Sequence, residues 1–419
     1  MRKILIVFLL LTGCASYRPN AQATKLDVIE KAPAYSLGIV EFDDQGWFFD
    51  RADVERVLSM VEDEAKGNGA TVVVFAHGWH HNAAANDENL TEFKAALASI
   101  DELLHRPLYK SVRDIVLKGA KNRVVGVYVG WRGASLPGKL DYGTFWDRRD
   151  AAIRVGHGDV VELFTRLAKI QADHNDAEKK EFTTLVAMGQ SFGGQVVFAA
   201  VSDVLKARIA EHLPAKAFPI LHGFGDLVVL VNPAHEASIY NSIDLLTRDA
   251  AFDKKQQPIL LTISSEGDWP NRVFFPIGRH LGSRHEPDGT DAQYEQKTHS
   301  HGHYVPHLTH CLFETGKTKC KGLTVPDVPA GPQISDDTVV TEPMLNVWKL
   351  VPIDLAIGRP YGETTFSALP PEVDPNNPFL VTKATRDVVG GHDDMFNEKL
   401  LGFVARFVGL AQLKRLVTY

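Results

Sequence analysis

The stretch from Leu185 to Leu205 constrains the fold more than any other part of the chain. Leu185-Val186-Ala187-Met188 is a short apolar run of the kind that forms a buried strand. Gly189-Gln190-Ser191-Phe192-Gly193-Gly194 follows, and Gln195 to Leu205 reads as a helix with a largely apolar face. A strand that passes through Gly-x-Ser-x-Gly straight into a helix must turn within very few residues. That leaves no space for side chains two places either side of the serine, so Gly189 and Gly193 stand where glycine is needed. The turn would raise the Ser191 hydroxyl clear of the sheet. It would also aim the free N–H groups and positive end of the helix at whatever that oxygen attacks.

Around this turn, strand and helix patterns alternate. Strands are expected at 35–42, 46–49, 71–76, 124–129, 227–231, 258–264 and 379–382. Helices are expected from Asp50 to near Gly67, over 86–104 and 150–173, and from about Asn397 to Leu413. That alternation predicts an α/β fold, a mostly parallel sheet with helices on both faces. The composition is ordinary for a globular chain, with 44% hydrophobic residues, 23% charged and a formal net charge of -7. No basic block or interleaved aromatic and basic patch is present, so nucleic acid is not an expected partner.

The run Thr71 to Ala76 leads directly into His77-Gly78-Trp79. A strand ending in His-Gly upstream of a Gly-x-Ser-x-Gly turn resembles the α/β-hydrolase superfamily, in particular its esterases and lipases. The resemblance extends from about residue 70 to the C-terminus. It implies an oxyanion hole made by the backbone N–H groups of Trp79 and Phe192, with the His77 side chain bracing its loop. It also implies a catalytic serine, acid and histidine in that chain order, at the carboxyl ends of successive strands. Ser191, Asp268 and His392 fit that order, and His392 lies in a glycine-flanked loop between the last expected strand and the C-terminal helix. For the acid, Glu266 and Glu236 are rivals of Asp268. The implied activity is hydrolysis of carboxylic esters without a cofactor. An amidase, thioesterase or acyltransferase would use the same residues, and a fold kept for binding alone is the reading from another class.

More than a hundred residues separate Asp268 from His392, far more than one helix requires. Residues 270–376 therefore read as a cap or lid inserted before the last strand of a single hydrolase domain, residues 34–419. Within it, His299, His301, His303, His307 and His310 cluster beside Cys311. Alternate-residue histidines can bind zinc or copper, but no Asp or Glu completes a recognised spacing nearby, so these histidines are read as packing or solvated side chains with no metal, metal binding being the alternative. Phe274 to Gly278 faces either substrate or the cap's own core. Trp131, Tyr142, Phe145 and Trp146 concentrate aromatic rings near the same edge, either as an acyl pocket or as loop packing.

Residues 1–13 combine a basic start, Arg2-Lys3, with an apolar run from Ile4 to Leu11 too short to span a bilayer. Leu11-Thr12-Gly13-Cys14 resembles the lipobox of bacterial lipoproteins. This implies cleavage before Cys14, a lipid anchor on its thiol and a place in the cell envelope, at the outer membrane if the cell is Gram-negative; an uncleaved signal anchor is the alternative. Residues 14–33 then read as a polar tether. In an exported protein the two remaining cysteines, Cys311 and Cys320, are expected to form a disulfide, with two free thiols as the alternative.

Overall fold

The computed structural model describes residues 20–116, 122–135, 141, 144–175, 182–213, 217–282, 287, 289–325, 337, 339, 359–361, 364–369, 374 and 376–418. In chain order the strands are β1 (Ile29–Lys31), β2 (Tyr35–Glu41), β3 (Ala70–Ala76), β4 (Arg123–Gly130), β5 (Thr184–Gln190), β6 (Ala217–Phe218) and β7 (Leu227–Val231). They continue with β8 (Ala251–Phe252), β9 (Leu260–Ser265), β10 (His310–Glu314), β11 (Arg359–Tyr361), β12 (Thr364–Ala368) and β13 (Phe379–Ala384). The helices are α1 (Asn20–Ala23), α2 (Arg51–Ala65), α3 (Glu88–Leu104), α4 (Pro107–Val116), α5 (Phe145–His157) and α6 (Val160–Asp173). After them come α7 (Phe192–Ala210), α8 (Ala237–Thr247), α9 (Phe275–Gly282), α10 (Asp291–Thr298) and α11 (Glu398–Thr418).

Apart from the small pair β6 and β8, the described strands form one 11-stranded sheet in the order β1-β2-β4-β3-β5-β7-β9-β13-β10-β12-β11. From β2 across to β10 every neighbouring pair is parallel, and antiparallel pairing is confined to the two margins. The central strands β3, β5, β7 and β9 are buried along their whole length, because helices cover both faces. Alternate residues therefore feed two cores. Val72 and Val74 pack with Val57, Phe164 and Val197 on one side. Val73 and Phe75 pack with Phe93, Leu97 and Phe403 on the other. The parallel strands all present their carboxyl ends to one edge of the sheet, where β3, β5, β7, β9 and β13 deliver the loops considered below.

Four sequence expectations need correction. Gly46 to Phe49 is not a strand but a tight turn, with Gly46 at φ +87° and a single bridge between Phe42 and Phe48. The helix expected over 150–173 is two, α5 and α6, broken at Gly158. The two departures have one cause. The break lets Asp159 donate its N–H to the Gly46 carbonyl and accept the Phe48 N–H on its carboxylate. Gly158 lies so close to that turn that a Cβ on it would stand 2.4 Å from the Gly46 oxygen.

Residues 20–33 are not a free tether. The N–H groups of Asn20 and Ala21 donate to the two oxygens of the Glu41 carboxylate at 2.8 and 3.0 Å, Ala21 is buried, and β1 adds an antiparallel strand to β2. Residues 1–19, with the expected signal peptide, Cys14 and the start of the tether, lie outside the described residues. Among the described residues no helix is long and apolar enough to cross a membrane.

The segment 270–376 is not wholly a cap. It supplies β10, β11 and β12 to the sheet, so β13 is an interior strand paired with β9 on one side and β10 on the other. Thr364-Thr365-Phe366-Ser367-Ala368 carries the β-prone signal for one of these strands, and Phe366 is fully buried against Phe403 and Phe407 of α11. Among the described residues, those between β9 and β10 form short helices and turns, at 270–282 and 289–307.

Cys311, on β10, is disulfide-bonded to Cys320, and both are buried. With the two cysteines nine positions apart, the chain-entropy account gives roughly 2.5–3 kcal/mol of stabilisation. Urea unfolding with and without a thiol reductant is expected to show a loss of that size. Coincident unfolding curves would mean that the cross-link contributes nothing to stability.

Candidate active site

Steric necessity at the turn after β5 shapes the site. A Cβ on Gly189 would stand 2.4 Å from the Gly193 oxygen, and one on Gly193 only 2.0 Å from the Ala76 oxygen at the end of β3. Gly78, in the loop after β3, is equally confined, with the Gln190 Oε1 2.1 Å from where its Cβ would be. Three glycines thus let the turn, the first residues of α7 and the loop after β3 pack closely, against main chain at Gly189 and Gly193 and against the Gln190 amide at Gly78. Held in this way, Ser191 adopts φ 54° and ψ -120°, a conformation that costs on the order of 1–3 kcal/mol for a residue with a side chain. Its N–H donates to the Val231 carbonyl and its carbonyl accepts the Ala234 N–H, which ties the turn to the end of β7.

The Ser191 hydroxyl lies 2.7 Å from His392 Nε2, and His392 Nδ1 lies 2.8 Å from Asp268 Oδ1. A carboxylate only accepts, so Nδ1 carries the ring proton and Nε2 is left to accept from the serine. Three residues spread over 201 positions of chain therefore form one hydrogen-bonded line of hydroxyl, imidazole and carboxylate. Neither rival acid touches His392. Glu266 accepts the Lys321 N–H and faces Lys383, while Glu236 is buried in an ion pair with Arg149 and Arg279.

The histidine loop is held by residues that sequence reasoning did not single out. Gln190 Nε2 donates to the His392 carbonyl at 3.0 Å, and Asn232 Nδ2 donates to the same oxygen at 2.9 Å and to the Gly391 carbonyl at 3.0 Å. Asn232, just past β7 with φ 46°, also accepts the Ser265 N–H on its Oδ1 at 2.8 Å and the Asn271 side chain on its carbonyl. One asparagine thereby ties the ends of β7 and β9 to the loop after β13. Its left-handed backbone is the kind that asparagine tolerates, and the Asn-Pro pair after a strand was the available signal.

Asp268 is fully buried. Burial alone would raise its carboxyl, but the charges and hydrogen bonds of His392 and His303 outweigh it and hold the group far below the usual carboxylate range. For His392, burial alone would push the imidazolium down; the adjacent Asp268 carboxylate more than reverses this and holds it above its ordinary value.

His77 braces its loop. Its Nε2 accepts the Trp131 N–H at 3.1 Å, its Nδ1 donates to the Gly78 carbonyl at 2.9 Å, and its ring stacks on Trp131. Both ring positions are thereby committed to the neutral form, and burial pushes the group down to about 4. The loop that carries Trp79 comes up to the serine, where a Cβ on Gly78 would stand 3.2 Å from the Ser191 Cβ, and Phe192 is the next residue in the chain. Phe192 opens α7, where its N–H has no partner within the helix, and the first turn carries no acidic side chain. Trp79 follows Gly78, and its ring packs near those of Phe145 and Phe192.

The other aromatic residues divide. Trp131 is core, Phe145 packs between Trp79, Trp146 and Phe192, and Tyr142 lies outside the described residues. Phe275 is buried, whereas Trp146, Trp269, Phe274 and Ile277 expose 41%, 56%, 64% and 53% of their surface around the loop that carries Asp268. Of the clustered histidines, His301 and His307 are buried with His235 against Tyr240 and His310 stacks on Phe366. Among the described residues no group of three or more His, Cys, Asp or Glu side chains is arranged to hold a metal ion.

No protein-family model matches this chain, and no curated protein does. Among solved structures, a Trichoderma reesei cutinase in complex with a C11Y4 phosphonate inhibitor is similar over 52% of this chain and 75% of that one. The identity is 16% and the TM-score 0.21.

Burial also pushes His235 and His307 down to about 4, so three histidines are neutral in the fold and free to charge once unfolded. Such a group contributes stability above about pH 6.5 and loses it as pH falls towards 4, by roughly 3 kcal/mol each. His392, held above its ordinary value, contributes in the opposite sense, losing its share as pH rises through the raised value. One group does not offset three. Thermal melts taken from pH 7 to pH 4 are therefore expected to fall steeply through this window, and a flat profile would show that these imidazoles are accessible to protons in the fold.

Proposed function

We propose that this chain is a serine hydrolase that cleaves carboxylic esters through an acyl-enzyme on Ser191. The observation that carries the reading is the unbroken line from Ser191 Oγ through His392 to the buried Asp268, with contacts of 2.7 and 2.8 Å. A serine hydroxyl is a feeble nucleophile until a neighbouring imidazole takes its proton as it attacks. In this reading His392 Nε2 accepts that proton, and Asp268 fixes the tautomer and stabilises the imidazolium without itself being protonated. The carbonyl oxygen becomes an oxyanion between the N–H groups of Trp79 and Phe192, at the positive end of α7. His392 then returns the proton to the leaving alcohol. Water repeats the sequence on the acyl-enzyme and frees Ser191. The exposed Trp146, Trp269, Phe274 and Ile277 form an apolar rim for the acyl or alkyl part of the ester.

The envelope location belongs to the same proposal. With Cys14 lipidated, the few residues before the seated Asn20 would hold the domain within about 20 Å of the bilayer. Metabolic labelling with a fatty acid, lost on Cys14→Ala, tests this.

Two outcomes test the chemistry. A fluorophosphonate probe is expected to label the wild-type protein and not Ser191→Ala, while Asp268→Asn lowers kcat on p-nitrophenyl esters by roughly 10^4-fold. Labelling that persists in Ser191→Ala would remove the serine from the mechanism. Second, the base must be neutral and its pKa is raised, so kcat/KM is expected to fall on the acid side with a midpoint above about 6.5. A midpoint well below that value would mean that another group is the base.

A further inference from the structure

Asp268 accepts from four donors. His392 Nδ1 at 2.8 Å and the Asn271 N–H at 3.0 Å reach its Oδ1; Asn271 Nδ2 at 2.8 Å and His303 Nε2 at 3.5 Å reach its Oδ2. The fourth is a second imidazole, from the histidine-rich segment expected only to pack or to be solvated. We propose that His303 is a positioning residue for the reaction proposed above, and the inference rests on that reading. Its Nε2–H holds the far oxygen of Asp268, which keeps the near oxygen on His392 and tempers the basicity that the carboxylate confers there.

The turn that carries His303 is built to a close fit. His301–His303 is a single 3-10 turn anchored at both sides: His301 donates its N–H to the His235 carbonyl, and His303 to the Ser300 carbonyl, each at 2.9 Å. Ser300 bridges to Glu236, and Ala237 donates to the His299 carbonyl. Gly302 crosses the end of β9 so closely that a Cβ on it would stand 1.7 Å from Ser264 Oγ. Every residue of Ser300-His301-Gly302-His303 thus has a structural assignment: Ser300 bridges to Glu236, His301 is the buried anchor, stacked on His235 and packed at a tilt against Tyr240, Gly302 is the close approach, and His303 meets the acid with a side chain only 10% exposed.

The charged groups on the packed elements are paired elsewhere: Glu236 with Arg149 and Arg279, Asp244 of α8 with Arg248, and Lys383 of β13 with Glu266. Asp393 adjoins His392 and adds to its basicity. Only His303 reaches the Asp268 carboxylate from this turn.

A hydrogen bond given to Oδ2 draws charge from the carboxylate and weakens its pull on His392. Removing it makes His392 more basic, so the acid limb of the rate profile should move to higher pH. The experiment compares wild type, His303→Phe and His303→Gln through the pH dependence of p-nitrophenyl ester hydrolysis and of fluorophosphonate labelling. His303→Phe is expected to lower kcat roughly 3- to 30-fold with KM little changed, and to raise the acid midpoint by about half a unit. His303→Gln keeps a donor and is expected to recover most of both. Should His303→Phe not fold, His303→Asn, polar but too short to reach Oδ2, carries the same expectation. A folded Phe or Asn variant with the wild-type midpoint, or a Gln variant as impaired as either, would overturn the inference. Failure of the wild type to react with the probe would instead sink the hydrolase reading itself.

Discussion

Everything at the strand ends depends on the close approaches at Gly189, Gly193 and Gly78, main chain to main chain at the first two and main chain to the Gln190 amide at the third. With hydrogen at those three positions, α7 can begin against the end of β3, and Ser191 is left in a conformation that its own side chain disfavours. The strain persists because the surroundings over-determine it: hydrogen bonds to Val231 and Ala234 on one side, and the packed loop after β3 on the other. Replace any of the three glycines and the clash is with main chain or a packed amide, neither of which can step aside as a flexible side-chain tip would.

From that block the remaining groups are positioned by a network of side-chain amides. Gln190, Asn232 and Asn271 connect the ends of β5, β7 and β9 to the loop after β13, and each satisfies main-chain carbonyls that are otherwise buried at a sheet edge. The imidazole is therefore located through its own backbone, and Asp268 through four donors. The parallel sheet supplies the common edge, and the amides supply the registration between loops that come from distant parts of the sequence.

Much of this was legible in the residues. The apolar runs of β3, β5, β7, β9 and β13 announced buried parallel strands, and the glycines around Ser191 announced the turn, because each is a local requirement that leaves a local mark. What could not be read depends on distant partners. The break at Gly158 answers to a turn over a hundred residues away, and the seat of Asn20 and Ala21 answers to Glu41. Strands β10 to β12 were hidden because short, mixed edge strands carry little period, so the long segment before Phe379 read as a cap. The histidine cluster was visible as composition, but composition cannot tell an anchor such as His301 from a contact such as His303.

The close approach of Gly193 to the Ala76 oxygen also bears on how such a chain can diversify. Ser191, the start of α7 and the loop behind them form a unit with no slack, so accepted variation there is confined to near-isosteric changes. On the proposed reading, the freedom to suit a different ester would lie in the exposed flank formed by Trp146, Trp269, Phe274 and Ile277. The proposed chemistry and selectivity would then sit in mechanically separate parts of the fold, and the second could drift while the first stays fixed.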